Sequence, residues 1–268
     1  LLFLLDYFIM FPSVGVYYIA TGDKYLHEAF HNVRLTRSFN PSLSVSICTH
    51  DTVEARQSGL FNNVVQHPCP VYSYRDKIQP LIDPPYDNTL YLDTDAFSSY
   101  SLDSLFSLSD FVDIACAAAP VRHPPGWSDS EAPISFTEFN SGVILLKKSH
   151  QQKQFFNKWL ALYDKLFRKF SQSWDQASFR SILWRRIKMK KLQFLQLPSE
   201  ANLRTTKPWI AGRGMPVQII HGRFAEHETN KFLTYLNSDI NKFRTSSEWL
   251  KLYPDSSIRP RFDNSGIT

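Results

Sequence analysis

The order of apolar and polar positions along the chain predicts strands and helices in alternation. Residues Val14–Ala20 form a continuous apolar run of strand length. Thr21-Gly22-Asp23 reads as a turn able to cap a helix, and Leu26, Ala29, Phe30 and Val33 then recur at helical spacing as far as about Phe39. Asn40-Pro41 stops that helix. Over 43–47 apolar residues alternate with serine, the pattern of a strand with one buried face. A short helix is expected over 51–57 and a short strand at Val64-Val65. After a loop at 83–88 comes the strand Leu90-Tyr91-Leu92, then a short helix at 102–106 and strands at 112–119 and 139–146. The strongest helix spans His150–Phe170, where Phe155, Phe156, Trp159, Leu160, Tyr163, Leu166 and Phe167 make one wide apolar stripe facing a core. Another helix starts near Asp175 with Phe179, Ile182 and Leu183 on one face, and strands follow at 192–197 and 217–220. No internal repeat or linker interrupts the series. The alternation predicts one α/β domain with a mixed, mostly parallel sheet flanked by helices.

Composition narrows the compartment and the partners. The chain has 268 residues, 43% hydrophobic and 15% aromatic, enough for a substantial core. A net charge of +5, mixed along the chain, suits anionic ligands but does not mark a nucleic-acid binder, so no nucleic acid is expected as partner. The densest basic run, Arg185-Arg186-Ile187-Lys188-Met189-Lys190-Lys191, reads either as a solvated helix end or as a peripheral membrane contact. Cys48, Cys69 and Cys116 are widely spaced and form neither a disulfide framework nor a zinc motif. With no Asn-x-Ser/Thr acceptor besides Asn40-Pro41-Ser42, these features point to the cytoplasm. Residues 1–11 are apolar apart from Asp6 and too short to span a bilayer. They read as the end of a truncated anchor or as sequence upstream of a start at Met10, and the second reading is preferred.

The chemistry starts at Asp93-Thr94-Asp95, which follows the apolar strand 90–92. Two carboxylates one residue apart are costly near a core without a positive partner, and hard divalent cations take oxygen ligands beside phosphates. The plain alternative is a polar turn whose aspartates cap backbone groups. A calcium loop counted from Asp93 would need Gly at position six and Glu at twelve, where Ser98 and Ser104 stand. A haloacid-dehalogenase phosphatase would carry its D-x-D on the first core strand, whereas here α/β sequence precedes it.

Four further clusters are ordered along the chain: Arg75 and Lys77; Glu138-Phe139-Asn140-Ser141-Gly142 opening a buried strand; Trp174-Asp175-Gln176 opening a helix; and His221-Gly222-Arg223 ending a strand. Each has an ordinary alternative: a solvated face, a turn or bulge, a helix N-cap, a structural histidine. As an ordered set over 14–223 they resemble the GT-A glycosyltransferases, and more narrowly the family-8 or glycogenin-like group. The resemblance rests on Tyr18-Ile19-Ala20-Thr21-Gly22, Leu90-Tyr91-Leu92-Asp93-Thr94-Asp95, Glu138-Phe139-Asn140-Ser141-Gly142-Val143, Asp175-Gln176 and His221-Gly222-Arg223.

That resemblance implies a single Rossmann-like GT-A domain over 12–252, with 1–11 as an apolar extension and 253–268 as a loosely ordered tail. It implies transfer of a sugar from a nucleoside-diphosphate sugar, a UDP-sugar first, to a carbohydrate, lipid-linked or protein acceptor, with retention. Asp93, Asp95 and His221 would hold manganese or magnesium. Ala20, Thr21 and Gly22 would cradle base and ribose, Arg75 and Lys77 would touch the diphosphate or ribose, and Thr94, Ser141 and Gly142 would complete the donor site. Asn140, Asp175 and Gln176 would line the sugar pocket, the last two beside the anomeric carbon. The chain departs from the family-8 His-Phe-x-Gly-x-x-Lys-Pro-Trp signature: His221 is followed by Gly-Arg, and Lys207-Pro208-Trp209 lies upstream. Arg223 is the candidate for the vacated phosphate role. The loop 120–135, with His123 and Trp127, reads as a lid or as plain surface. A nucleotidyltransferase, or a silent nucleotide- or carbohydrate-binding domain, remains open on the residues alone.

Overall fold

The alternation of side chains along the central strands feeds two separate cores. In the computed structural model, which describes residues 13–120, 131–205, 214–223, 229, 233–234 and 236–240, the strands are β1 (Val14–Ala20), β2 (Ser44–Thr49), β3 (Asn63–Gln66), β4 (Asn88–Leu92), β5 (Ala96–Ser98), β6 (Ile114–Ala118), β7 (Phe139–Lys147), β8 (Phe194–Leu197), β9 (Leu203–Arg204) and β10 (Ile219–His221). The helices are α1 (Asp23–Phe39), α2 (Thr52–Gln57), α3 (Asp103–Phe106), α4 (His150–Phe170) and α5 (Asp175–Lys188). The expectations for 1–11, His123, Trp127, Lys207-Pro208-Trp209 and 253–268 lie outside the described residues.

Seven strands form the main sheet in the order β3-β2-β1-β4-β7-β6-β8. All its pairings are parallel except those of β7, which runs against both β4 and β6. Val16 and Tyr18 of β1, Leu90 and Leu92 of β4, and Val143 and Leu145 of β7 point to the core under α1. Their neighbours Tyr17, Ile19, Tyr91, Ile144 and Leu146 point to the opposite core, under α4 and α5. This is a three-layer α/β/α arrangement with a sheet buried on both faces.

A second sheet of three short strands, β5-β10-β9, lies beyond the end of β4. The sequence pattern does not announce it, because β5 and β9 are too short to show a period. The last strand is correspondingly displaced: it spans Ile219–His221, so His221 is within the ladder and not after it. Smaller differences fall at strand ends, where β2, β6 and β8 start one to two residues later than expected.

Helix α4 opens on the N-cap Ser149, whose side chain accepts from Gln152 N–H, and closes on Ser171 in the left-handed region. Phe155, Phe156, Trp159, Tyr163 and Leu166 are buried as expected, but Phe167 is 51% exposed. It lies in the last turn of α4 and stacks on Tyr163. Cys48 and Cys116 are buried. No helix among the described residues is long and apolar enough to cross a membrane.

Trp159 connects this core to the start of α5. Its indole packs edge-on against Phe179 and donates to the Asp175 carbonyl at 3.2 Å and to Ser178 Oγ at 2.9 Å. Trp159→Ala should therefore cost about 3–5 kcal/mol through cavity formation. Trp159→Phe, which keeps most of the packing but loses both indole hydrogen bonds, should cost about 1–2 kcal/mol. Urea unfolding of both variants checks the order.

Candidate functional site

The antiparallel setting of β7 gathers the candidate residues. Because β7 runs against β4, its first residues lie beside the carboxyl end of β4, where Asp93 follows Leu92. Asp93 N–H donates to the Gly142 carbonyl at 2.7 Å, and Ala96 N–H closes the turn onto the Asp93 carbonyl at 2.9 Å. Strand β10 pairs antiparallel to β5 with His221 opposite Ala96, and Gly222 N–H donates to the Asp95 carbonyl. Two strand pairings thus bring residues 93, 95, 142 and 221 together from three segments of the chain.

Asp93, Asp95 and His221 each turn one ligand atom inward, all within 4.8 Å of one another. His221 Nε2 lies 3.2 Å from Asp95 Oδ1 and 3.7 Å from Asp93 Oδ2. In an octahedral site with bonds of about 2.1 Å, adjacent donor atoms are about 3 Å apart and opposite ones about 4.2 Å. The group fits one divalent cation. Gly142 leaves the space: a Cβ there would come within 2.2 Å of His221 Cε1 and 2.4 Å of Asp93 Oδ2.

A chain of amides fixes which nitrogen of His221 faces that space. Gly142 N–H donates to Asn140 Oδ1, which identifies the amide oxygen of Asn140 without ambiguity. The Asn202 atom 2.9 Å from that oxygen must then be its NH2, so Asn202 Oδ1 faces His221 Nδ1 at 3.0 Å. Nδ1 therefore donates to Asn202, and Nε2 faces the two carboxylates. That convergence of electron-rich atoms requires a second ring proton or a cation between them. At the other end of the chain, Asn140 Nδ2 donates to Gln176 Oε1 at 3.0 Å.

Two cations flank the carboxylates. Lys77 Nζ sits 2.8 Å from Asp175 Oδ2, 3.4 Å from Asp93 Oδ1 and 3.2 Å from Ser141 Oγ. Burial alone would lower the Lys77 pKa, but Asp175 and Asp93 outweigh it and hold the ammonium above the ordinary lysine range. Ser141 Oγ also donates to Asp175 Oδ2. Tyr91 Oη donates to Asp93 Oδ1, leaving Oδ2 directed at His221. On the other side Arg223 Nη1 lies 3.2 Å from Asp95 Oδ2 and its other nitrogens grip Glu28. Burial would raise the Asp95 carboxyl, yet His221, Arg223 and Arg204 hold it well below the usual range.

Other expected residues are committed elsewhere. Arg75 forks onto Asp164 of α4 at 2.7 and 3.1 Å and does not join the carboxylate group. Thr21 gives its hydroxyl to buried Asp76, and Thr94 gives its own to Glu28. Ala20 is buried at the end of β1, while Gly22, at φ 94°, donates its N–H to His50 Nδ1. Asp175 is not an N-cap: it is the first residue of α5, after the cap Trp174, with its side chain turned inward to Lys77. In the basic run, Arg185 forks onto Glu131 and Arg186 is buried. The fourteen residues of α5 place that run about 20 Å from Asp175. Sequence reasoning missed Asn202, Tyr91 and Glu28. Asn202 stands alone between apolar residues, Tyr91 reads as one more apolar strand position, and Glu28 as one charge on a helix face.

Similar folds occur in solved structures. The glycosyltransferase GlyE from Streptococcus pneumoniae TIGR4 superposes with a TM-score of 0.57 and 16% identity over 90% of this chain and 60% of GlyE. The galactosyltransferase LgtC, solved with donor and acceptor sugar analogs, gives 0.54 and 16% over 89% of this chain and 99% of LgtC. The bifunctional glycosyltransferase WbbM gives 0.53 and 13% over 92% of this chain and 52% of WbbM. The chain has the GT-A fold. No protein-family model and no curated protein matches it. The chain therefore spans most of LgtC but only about three-fifths of GlyE and half of WbbM.

Two substitutions test the geometry. Gly142→Ala should push His221 and Asp93 apart and abolish Mn2+ binding by the isolated protein, read by electron paramagnetic resonance, with the far-ultraviolet spectrum unchanged. Asn202→Ala removes the acceptor that fixes His221 and should weaken Mn2+ binding by about 10–100-fold in the same titration.

Proposed function

We propose that the protein is a metal-dependent glycosyltransferase that moves a sugar from a nucleoside-diphosphate sugar to an acceptor. The observation that carries this is the Asp93, Asp95 and His221 group, set at the carboxyl end of β4 beside Asn140, Asp175 and Gln176. In open α/β sheets that edge is where nucleotides bind. The GT-A fold shared with GlyE, LgtC and WbbM supports the same reading.

Asp93, Asp95 and His221 would hold the cation, and an imidazole beside two carboxylates suits manganese better than magnesium. Bound there, the ion supplies Lewis-acid stabilisation of the departing diphosphate. The end of β1 at Ala20, Thr21 and Gly22 borders the nucleotide. Lys77 and Arg223 place positive charge on either side of the carboxylates, where a diphosphate would meet it. Asn140 and Gln176, linked side by side, present amide groups to the sugar. Asp175 lies behind them on Lys77 and stabilises positive charge developing at the anomeric carbon. The bond from that carbon to the phosphate oxygen breaks with its electron pair going to the nucleoside diphosphate. The acceptor oxygen bonds to the carbon and its proton passes to the departing phosphate. Attack from the face the diphosphate leaves makes the reaction retaining.

A panel of UDP- and GDP-sugars with Mn2+ tests this. At least one donor should release its nucleoside diphosphate, Asp95→Ala should abolish both release and Mn2+-dependent nucleotide binding, and chelation should do the same to the wild type. Release of pyrophosphate would assign a nucleotidyltransferase instead, and metal-independent binding without turnover a silent binding domain.

A further inference from the structure

Beside the carboxylates stands an aromatic surface that the donor reaction does not use. Tyr74 and Trp174 stack with ring centroids 5.8 Å apart and planes 19° from parallel. Stacking would ordinarily hide such rings, yet Tyr74 stays 49% exposed and Trp174 50%. Single exposed apolar residues are commonplace on protein surfaces. A stacked exposed pair next to a candidate reaction centre is not, because Trp174 directly precedes Asp175 and Tyr74 opens the turn that carries Lys77.

Both rings are held from below. The Tyr74–Lys77 turn is capped by Ser73 and tied to α4 by the Arg75 fork on Asp164. The segment after α4 is fixed by Tyr163 Oη donating to the Ser173 carbonyl at 2.9 Å, and by Trp174 N–H donating to Gln172 Oε1 at 2.9 Å. A surface ordered in advance loses little entropy when it binds a ligand. Arg75 thus helps to hold the turn that carries Tyr74.

We propose that Tyr74 and Trp174 form the platform for the acceptor, and that the acceptor is a carbohydrate whose ring docks by its C–H face. This rests on the glycosyl-transfer reading above. A pyranose ring has an apolar C–H face and a rim of hydroxyls. The pair offers a stacked, half-exposed aromatic face with the Tyr74 hydroxyl and the Trp174 indole N–H at its edges. A lipid chain would need a longer apolar surface than two rings. The nucleobase has its own aromatic neighbours at the end of β1, where Tyr72 and Tyr25 stand 3.7 and 3.8 Å from the position a Cβ would take on Gly22.

The experiment uses the full chain with Mn2+ and UDP, titrated with methyl glycosides of glucose, galactose and N-acetylglucosamine and read by saturation-transfer NMR and tryptophan emission. At least one glycoside should bind. Trp174→Ala and Tyr74→Ala should each weaken it by about tenfold or more, and Trp174→Phe by no more than about threefold. UDP affinity should stay within about twofold in all three variants. If UDP binds but no glycoside does, or if the alanine variants bind glycoside like the wild type, the platform is refuted while the donor reading stands. If the variants lose UDP and not glycoside, the pair stacks on the nucleobase and the assignment is overturned. If the wild type binds no UDP in the presence of Mn2+, the glycosyl-transfer reading falls and takes this one with it.

Discussion

Asp93, Asp95 and Asp175 crowd three carboxylates at one end of the sheet, and the surrounding structure is arranged to tolerate that. Like charges this close raise each other's protonation unless they are compensated. Lys77 lies between Asp93 and Asp175, and Arg223 sits on Asp95. Tyr91 and Ser141 add hydrogen bonds to the outer oxygens. What remains uncompensated is the inner face, where Asp93 Oδ2, Asp95 Oδ1 and His221 Nε2 converge. An arrangement that neutralises its outside and leaves its inside electron-rich could hold a cation.

The polarity of that inner face is set at a distance. A backbone N–H cannot reverse its role, so Gly142 orients Asn140, Asn140 orients Asn202, and Asn202 sets the tautomer of His221. The same Asn140 holds Gln176 on its other side. His221 and Gln176 therefore share one hydrogen-bonded support. A change at Asn140 would disturb both, and its effect would not divide cleanly between binding and turnover.

Much of this was legible in the sequence, and the exceptions have physical reasons. The strand and helix periods were strong wherever elements were long, as in β1, β7 and α4, and the D-x-D, Asn140 and His221 stood at element ends where pattern breaks are visible. Nothing local marked β5 and β9, because short strands owe their existence to the partner they pair with. Asn202 was invisible for the same reason: its role exists only once β9 and β10 are paired. The partner of Arg75 was not legible either, because Asp164 lies far along the chain.

The Arg75–Asp164 pair bears on how Lys77 comes to be where it is. A buried ammonium is costly to place and must be held by a rigid backbone. The turn carrying Lys77 is held through Asp76, whose carboxylate accepts from Thr21 Oγ1 and from the N–H groups of Val71 and Tyr72, and through Arg75, which is locked to α4. Thr21 and Arg75 look like donor-binding residues on the sequence. In the fold they hold the turn that carries Lys77, which reaches both Asp93 and Asp175. Residues away from the carboxylates can thus govern a charged site, because a carboxylate pair is only as well ordered as the counter-charge between its members.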